Sequence, residues 1–291
     1  MTDPAPSSSR RFAPPRASSA APGAEFERLV EIMRLLRSPD GCPWDREQTL
    51  TSLAPYVLEE AYEVIDAIER GDLEELRDEI GDLIFEGVFL AQVASDEGAF
   101  SIGEAVRAIG DKLIRRHPHV FATPGTSPDL DSPAEVKEQW DEIKTRERAD
   151  AGRSHASALD GIPRALPAVL TAYEMGRHAA RVGFDWPDAA GVLAKVREEL
   201  DELGAALATG DRPHAAEELG DLFFSLANLA RQLDIEPEGA LRAANRKFED
   251  RFRAMELDLA ERGQRLETLS VDEMEAAWNR VKDAERRSGR E

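Results

Sequence analysis

The chain has 291 residues, enough for two domains of about 150 residues each. It carries 37 Lys+Arg against 58 Asp+Glu, a formal net charge of −21. That excludes a general nucleic-acid binder, which needs a basic face to displace counterions, but leaves a phosphate ligand open because a bound metal inverts the local sign. The single Cys, Cys42, rules out an internal disulfide and any multi-cysteine zinc site, and it fits a cytoplasmic setting.

Residues 1–23 are rich in Pro, Ser and Ala and read as a disordered tail. Arg10-Arg11 hints at a twin-arginine signal, but Pro14, Pro15 and Arg16 stand where its apolar segment would begin. No uncharged apolar run approaches the ~20 residues a membrane span needs. From Glu25 onward the pattern is helical. Leu53, Val57, Ala61, Val64 and Ile68 recur at steps of three and four, and Gly71-Asp72 ends that helix and caps the next. The second helix carries Leu73, Leu76, Ile80, Leu83 and Ile84, and a third runs from about Ser101 to Arg116. Residues 117–133 form a loop by composition, with His117 and His119 flanking Pro118 in a structural rather than ligating setting. A further helix holds Val136, Trp140 and Ile143.

The second half repeats this plan, with helices expected over 164–182, 188–209, 212–233, 237–262 and 270–287. Glu59-Glu60-Ala61-Tyr62-Glu63 matches Glu198-Glu199-Leu200-Asp201-Glu202 at an offset of 139. Glu79-Ile80-Gly81-Asp82 matches Glu218-Leu219-Gly220-Asp221 at the same offset. Lys112 and Arg116 match Lys247 and Arg251 at 135, and Trp140 and Lys144 match Trp278 and Lys282 at 138. The expected organisation is all-α with no significant β-sheet: two tandem copies over 24–148 and 162–291, joined by a linker at 149–161.

The paired acidic motifs carry the chemistry. On a helix Glu198, Glu199 and Glu202 share one sector, as do Glu218 and Asp221. A short connection at Gly210-Asp211 lets the two acidic faces meet, and carboxylates so crowded repel unless a cation lies between them. Oxygen-only ligands suit Mg²⁺, with Mn²⁺ as a substitute. One E-x-x-E on a helix is ordinarily a solvated face, whereas the same register occurring twice points to a site. Lys247, Arg251 and Lys282 are donors suited to phosphate oxygens. Lys247 and Arg251 can equally pair with neighbouring acids such as Glu249. Trp278 is either a base-stacking residue or a core aromatic. There is no E-x-x-H of a di-iron bundle, no phosphate-loop motif and no nucleophile elbow.

These motifs resemble the MazG family of nucleoside triphosphate pyrophosphohydrolases, whose pattern is E-E-x-x-E, a spacer, then E-x-x-D, with downstream Lys/Arg and an aromatic. Gly41-Cys42-Pro43-Trp44-Asp45, Arg115-Arg116-His117-Pro118-His119-Val120-Phe121 and Arg181-Val182-Gly183-Phe184-Asp185-Trp186 are similar to phrases of its two-domain bacterial members. The resemblance spans about residues 25–288. It implies helical domains of four-helix type, a homodimer, and Mg²⁺-dependent cleavage of an NTP to NMP and pyrophosphate that clears aberrant or excess nucleotides. It assigns metal binding to Glu199, Glu202, Glu218 and Asp221, and nucleotide contacts to Lys195, His214, Lys247, Arg251, Trp278 and Lys282. In the first copy it assigns Glu60, Glu63, Glu79 and Asp82 to metal, and Lys112, Arg116, Trp140 and Lys144 to nucleotide. Glu198 or Glu199 would orient or deprotonate the attacking water. At the 139 offset Lys195 becomes Tyr56 and His214 becomes Glu75, so the C-terminal copy is expected to do most of the hydrolysis. Two rivals remain: a non-catalytic helical scaffold whose acidic faces only solubilise it, and a narrower pyrophosphohydrolase acting on dUTP or one modified nucleotide.

Overall fold

The computed structural model describes residues 21–121, 132–150 and 157–289, so residues 1–20 of the expected tail and residues 151–156 of the expected linker lie outside the described residues. The chain divides into two compact units, residues 1–151 and 152–291, and every regular element among the described residues is helical.

The N-terminal unit comprises α1 (Pro22–Leu36), α2 (Pro43–Glu47), α3 (Leu50–Arg70), α4 (Leu73–Asp96), α5 (Ile102–Arg116), α6 (Pro118–Phe121) and α7 (Pro133–Asp150). Its hub is α4, which packs against α3, α1 and α5. Met33, Leu53, Val88, Phe89 and Val93 form the fully enclosed core, with Phe26, Leu29, Phe85 and Ile102 packed around it. Each such side chain contributes roughly 1.5–3 kcal/mol by leaving water.

The C-terminal unit comprises α8 (Ala168–Arg181), α9 (Ala189–Thr209), α10 (Arg212–Gln232), α11 (Pro237–Glu261), a 3₁₀ turn at Leu266–Thr268, and α12 (Val271–Ser288). Here α10 is the hub, in contact with α9, α8 and α11, while α12 packs on α11. Gly176 lets α8 approach α10 closely, since a Cβ there would fall 2.1 Å from Asn228 Oδ1. A second core gathers Met255, Leu259, Ala277 and Val281 where α11 meets α12.

The same device turns the chain in both units. Gly71 and Gly210 end α3 and α9 in the left-handed region, at φ 70° and 73°, where a side chain would be strained. The following aspartate then caps the next helix. Asp72 accepts hydrogen bonds from the backbone N–H groups of Glu74 and Glu75, and Asp211 from that of His214. Each pair α3–α4 and α9–α10 is thus an antiparallel hairpin with almost no loop.

Several boundaries differ from expectation. Helix α1 begins at Pro22, inside the expected tail, because proline suits a first helical turn that Glu25 then stabilises. The expected loop after Arg116 contains the four-residue α6, and α7 continues to Asp150, past the expected domain end. The apolar residues following the acidic motifs are not all core: Ile84 is 45% exposed and Phe223 55%.

Candidate functional site

The hairpins explain why two separate acidic motifs become one site. Glu63 and Glu79 each stand eight residues from Gly71, and Glu60 and Asp82 each stand eleven. Glu202 and Glu218 are eight residues from Gly210, and Glu199 and Asp221 eleven. At a rise of about 1.5 Å per residue, members of each pair lie at one height on facing helices, about 12 and 16 Å from the turn.

In the C-terminal hairpin Glu199, Glu202 and Glu218 bring one oxygen each within 4.8 Å of one another. Glu199 and Glu218 are buried, at 4% and 8% exposure. Burial, then the Glu202 charge, pushes the Glu218 carboxyl above its ordinary range, with His214 opposing and Glu199 and Asp221 reinforcing. His214 lies one turn nearer the loop, its Nδ1 3.4 Å from Glu218 Oε1. Lys195 lies one turn farther out and places Nζ 2.7 Å from both Glu198 and Glu199. Those two hydrogen bonds raise the lysine pKa, so the ammonium stays charged at neutral pH.

The N-terminal hairpin gathers Glu60, Glu79 and Asp82 within the same 4.8 Å. Glu63 lies against Glu79. Burial and then Glu63 raise the pKa of both Glu60 and Glu79. Tyr56 replaces the lysine here, and Glu75, which replaces the histidine, is tied to Arg70. A further carboxylate that sequence reasoning missed, Glu86, is only 6% exposed and lies one turn beyond Asp82 on α4.

The downstream cations sit differently. Lys247 and Arg251 line a groove of ≈ 1190 Å³ between α11 and α12, together with Arg246, Arg262 and Arg280. Arg251 is held by Glu285 of α12 at 2.7 Å rather than by Glu249, which pairs with Arg253. Arg116 makes the matching bond to Glu147 of α7 at 2.7 Å, so both units use this arginine as a clamp between helices. Neither acid of the clamp was singled out, although each falls at the same offset as the tryptophans, 138. Trp278 packs onto the C-terminal core with its ring 5.3 Å from Phe248. Trp140 stands edge-on to His117 at 4.8 Å. The histidines of this turn act structurally: His117 Nδ1 meets the Leu113 carbonyl and His119 Nδ1 meets Gln139 Oε1. Lys112 lies on α5 and Lys282 on α12, both half-buried, while the Lys144 side chain lies outside the described residues.

The hairpins also coincide with what is shared with other proteins. A family model described as the MazG nucleotide pyrophosphohydrolase domain matches residues 48–121 and 189–255. The chain is 47% identical over 264 residues to a nucleoside triphosphate pyrophosphohydrolase of Escherichia coli (strain K12), covering 90% of this chain and 98% of that one. It is 44% identical to a nucleoside triphosphate pyrophosphohydrolase/pyrophosphatase MazG of Thermotoga maritima, covering 89% and 96%. Identity to a nucleoside triphosphate pyrophosphohydrolase of Mycolicibacterium smegmatis is 32%, over 90% of this chain and 72% of that one.

Proposed function

Because this chain belongs to the MazG family of nucleotide pyrophosphohydrolases, we propose that the α9–α10 hairpin is its principal catalytic site and binds Mg²⁺. The chain is a nucleoside triphosphate pyrophosphohydrolase, a hydrolase of phosphoric anhydride bonds. That argues against the scaffold reading. The observation that carries the site assignment is the convergence of Glu199, Glu202 and Glu218 oxygens within 4.8 Å, two of them on buried residues.

The residues fit a hard divalent cation. Every candidate donor is a carboxylate oxygen, and a positive group, the Lys195 ammonium, already engages Glu199 in the cluster. Bound there with Asp221 as a fourth ligand, Mg²⁺ or Mn²⁺ would offset phosphate charge and acidify a coordinated water. The protein's own part is positioning. Lys195 fixes Glu198 and Glu199 by its two hydrogen bonds, leaving exposed Glu198 at the mouth of the cluster to orient or deprotonate the attacking water. His214 can donate to a phosphate oxygen beside Glu218. Lys247 and Arg251, with Lys282 nearby on α12, supply positive charge for the phosphates, and Trp278 supplies an aromatic face for the base. These groups read the triphosphate common to all nucleotides, which supports a broad (d)NTP range over a single base. The N-terminal unit has Lys112 and Arg116 on α5 and Trp140 on α7, but its hairpin has no equivalent of Lys195 or His214, so it contributes little turnover.

Exposed apolar stripes support a homodimer. Leu73, Ile80 and Ile84 run along α4, and Leu219, Phe223 and Leu226 along α10, each at helical spacing on one face. A second copy of the same hairpin would cover them symmetrically. No helix among the described residues is long and apolar enough to cross a membrane.

A panel of NTPs and dNTPs incubated with Mg²⁺, with product identification, tests the reading. NMP and pyrophosphate from several bases are expected. Orthophosphate release overturns it, and turnover of dUTP alone replaces it with the narrow enzyme.

A further inference from the structure

Besides Glu75 and His214 near the turn, the two hairpins part company at a second height. Fifteen residues from the turn glycine stand Tyr56 and Glu86 in the N-terminal unit, and Lys195 and Ser225 in the C-terminal unit. The C-terminal unit has a cation at this height, and the N-terminal unit has an acid. Glu86 shares the stripe of Glu79 and Asp82 on α4; its charge is felt by Glu60 across the hairpin, and it feels that of Asp82 below it. Its side chain is 6% exposed, and its Oε2 has no hydrogen-bond partner.

A buried oxygen left unmet beside other acids is costly, and among the described ion pairs no lysine or arginine reaches it. Tyr56 opposite is 38% exposed and packs edge-on against Trp44 at 6.0 Å. What the geometry lacks at that point is a positive group near the Glu60, Glu79 and Asp82 oxygens.

We propose that Glu86 is a ligand of a divalent cation held by Glu60, Glu79 and Asp82, and that this site fills without nucleotide. The inference rests on reading the carboxylate clusters as metal sites and adds a ligand that the C-terminal cluster does not have. In the C-terminal hairpin Ser225 offers no charge at this height, and Lys195 already holds Glu199, so an incoming ion meets a competing ammonium. The triphosphate would then bring the ion there. In the N-terminal hairpin the carboxylates are enough by themselves. The ion acts first on the fold of that unit, because ligands presented together only in the folded state convert binding into stability.

Mn²⁺ alone is the probe, titrated into the full chain without nucleotide and followed by the electron paramagnetic resonance of free Mn²⁺ and by thermal unfolding. Wild type should show one class of tight sites and a rise in melting temperature. Glu86→Gln should weaken that class about 10-fold or more, as loss of a charged ligand does, and melt no lower than wild type when metal-free. Glu218→Gln should leave the class intact. Should Glu86→Gln not fold, Glu86→Ser, which copies the other hairpin, takes its place in the same titration. Unchanged Mn²⁺ uptake in the Glu86 variant overturns the inference, as does loss of the tight class in Glu218→Gln. Wild type that takes up no Mn²⁺ overturns both this inference and the metal reading of the N-terminal cluster. NTP turnover with Mg²⁺ tests the C-terminal reading separately.

Discussion

At eight and eleven residues from their turns the two hairpins differ only in side-chain detail, each pairing glutamate with glutamate and glutamate with aspartate. One turn outward and one turn inward they diverge. The N-terminal hairpin adds Glu86 and Glu75 to its acids, while the C-terminal hairpin adds Lys195 and His214 to the same four carboxylates. Two hairpins of one geometry therefore present different fields. One flanks its cluster with further acids, of which Glu75 pairs with Arg70, and under the proposed reading suits a bare cation. The other mixes acids with cationic donors and is suited to a cation carrying phosphate. Under the proposed reading, the divergence teaches how a repeated motif keeps its carboxylate frame while the flanking turns of helix change what it would hold.

The largest test of the comparison concerns whether the units stand alone energetically. Phe89 is fully enclosed in the N-terminal core, so Phe89→Ala should cost about 3–5 kcal/mol. In denaturant unfolding that loss should fall on one of two transitions, with Met255→Ala lowering the other. A single shared transition would dissolve the division. Next is the catalytic asymmetry: Glu218→Gln should reduce kcat roughly 100-fold by weakening Mg²⁺ binding, and Glu79→Gln should reduce it less than about 3-fold. Equal losses would make the hairpins equal partners. Lys195→Ala should lower kcat/KM about 10-fold, roughly what one charged contact contributes. An unchanged value would leave the lysine as an internal tie for Glu199 only.

Smaller effects sharpen the picture at the turns and clamps. Asp72 receives two backbone N–H groups and Asp211 one, so Asp72→Ala should destabilise its unit by about 1 kcal/mol and Asp211→Ala by less, read in the same unfolding transitions. The helix clamps give an acid-side signature. Glu147 is held below its ordinary 4.5 by hydrogen bonds from Arg116 and Arg115, and Asp258 of α11 below 3.8 by Arg280 and Arg262. Depressed carboxyl pKa values stabilise the fold above the unfolded-state value, and that stability is lost as pH falls through the folded-state value. Both transitions should therefore weaken on acidification past the ordinary carboxylate range. Glu147→Gln should remove part of that dependence from the N-terminal transition alone, and an unaltered acid slope would deny the clamp its role.

Much of this arrangement is written in local patterns. Hydrophobic spacing and the Gly-Asp pairs place α3, α4, α9 and α10 to within a few residues, because helix period and capping are properties of short segments. The acidic motifs are legible for the same reason, and their recurrence marks them as more than solvated faces. The long-range partners are not. Glu147 and Glu285 look like any surface glutamate until helices that are distant in sequence bring them to Arg116 and Arg251. Trp278 reads as a possible base platform, but only packing places it against Phe248 and the core. Glu86 is the clearest case: it stands as the lone charge in the apolar run 83–91, but only the structure shows its side chain buried with an unpartnered oxygen rather than turned to solvent.

The tight turn at Gly71-Asp72 and Gly210-Asp211 also constrains how the two halves can drift in length. The copies keep one offset, 139, from Tyr56/Lys195 through Glu86/Ser225, whereas the segments after the hairpins have slipped to 135 and 138. A residue gained on one arm would rotate everything beyond it by about 100° and raise it by about 1.5 Å, taking a carboxylate out of level with its partner. Between the two copies the length changes fall beyond Glu86 and Ser225, where α4 runs to 24 residues and α10 to 21, and the carboxylate-bearing stretch of the hairpin acts as a gauge of fixed length along which residues are exchanged.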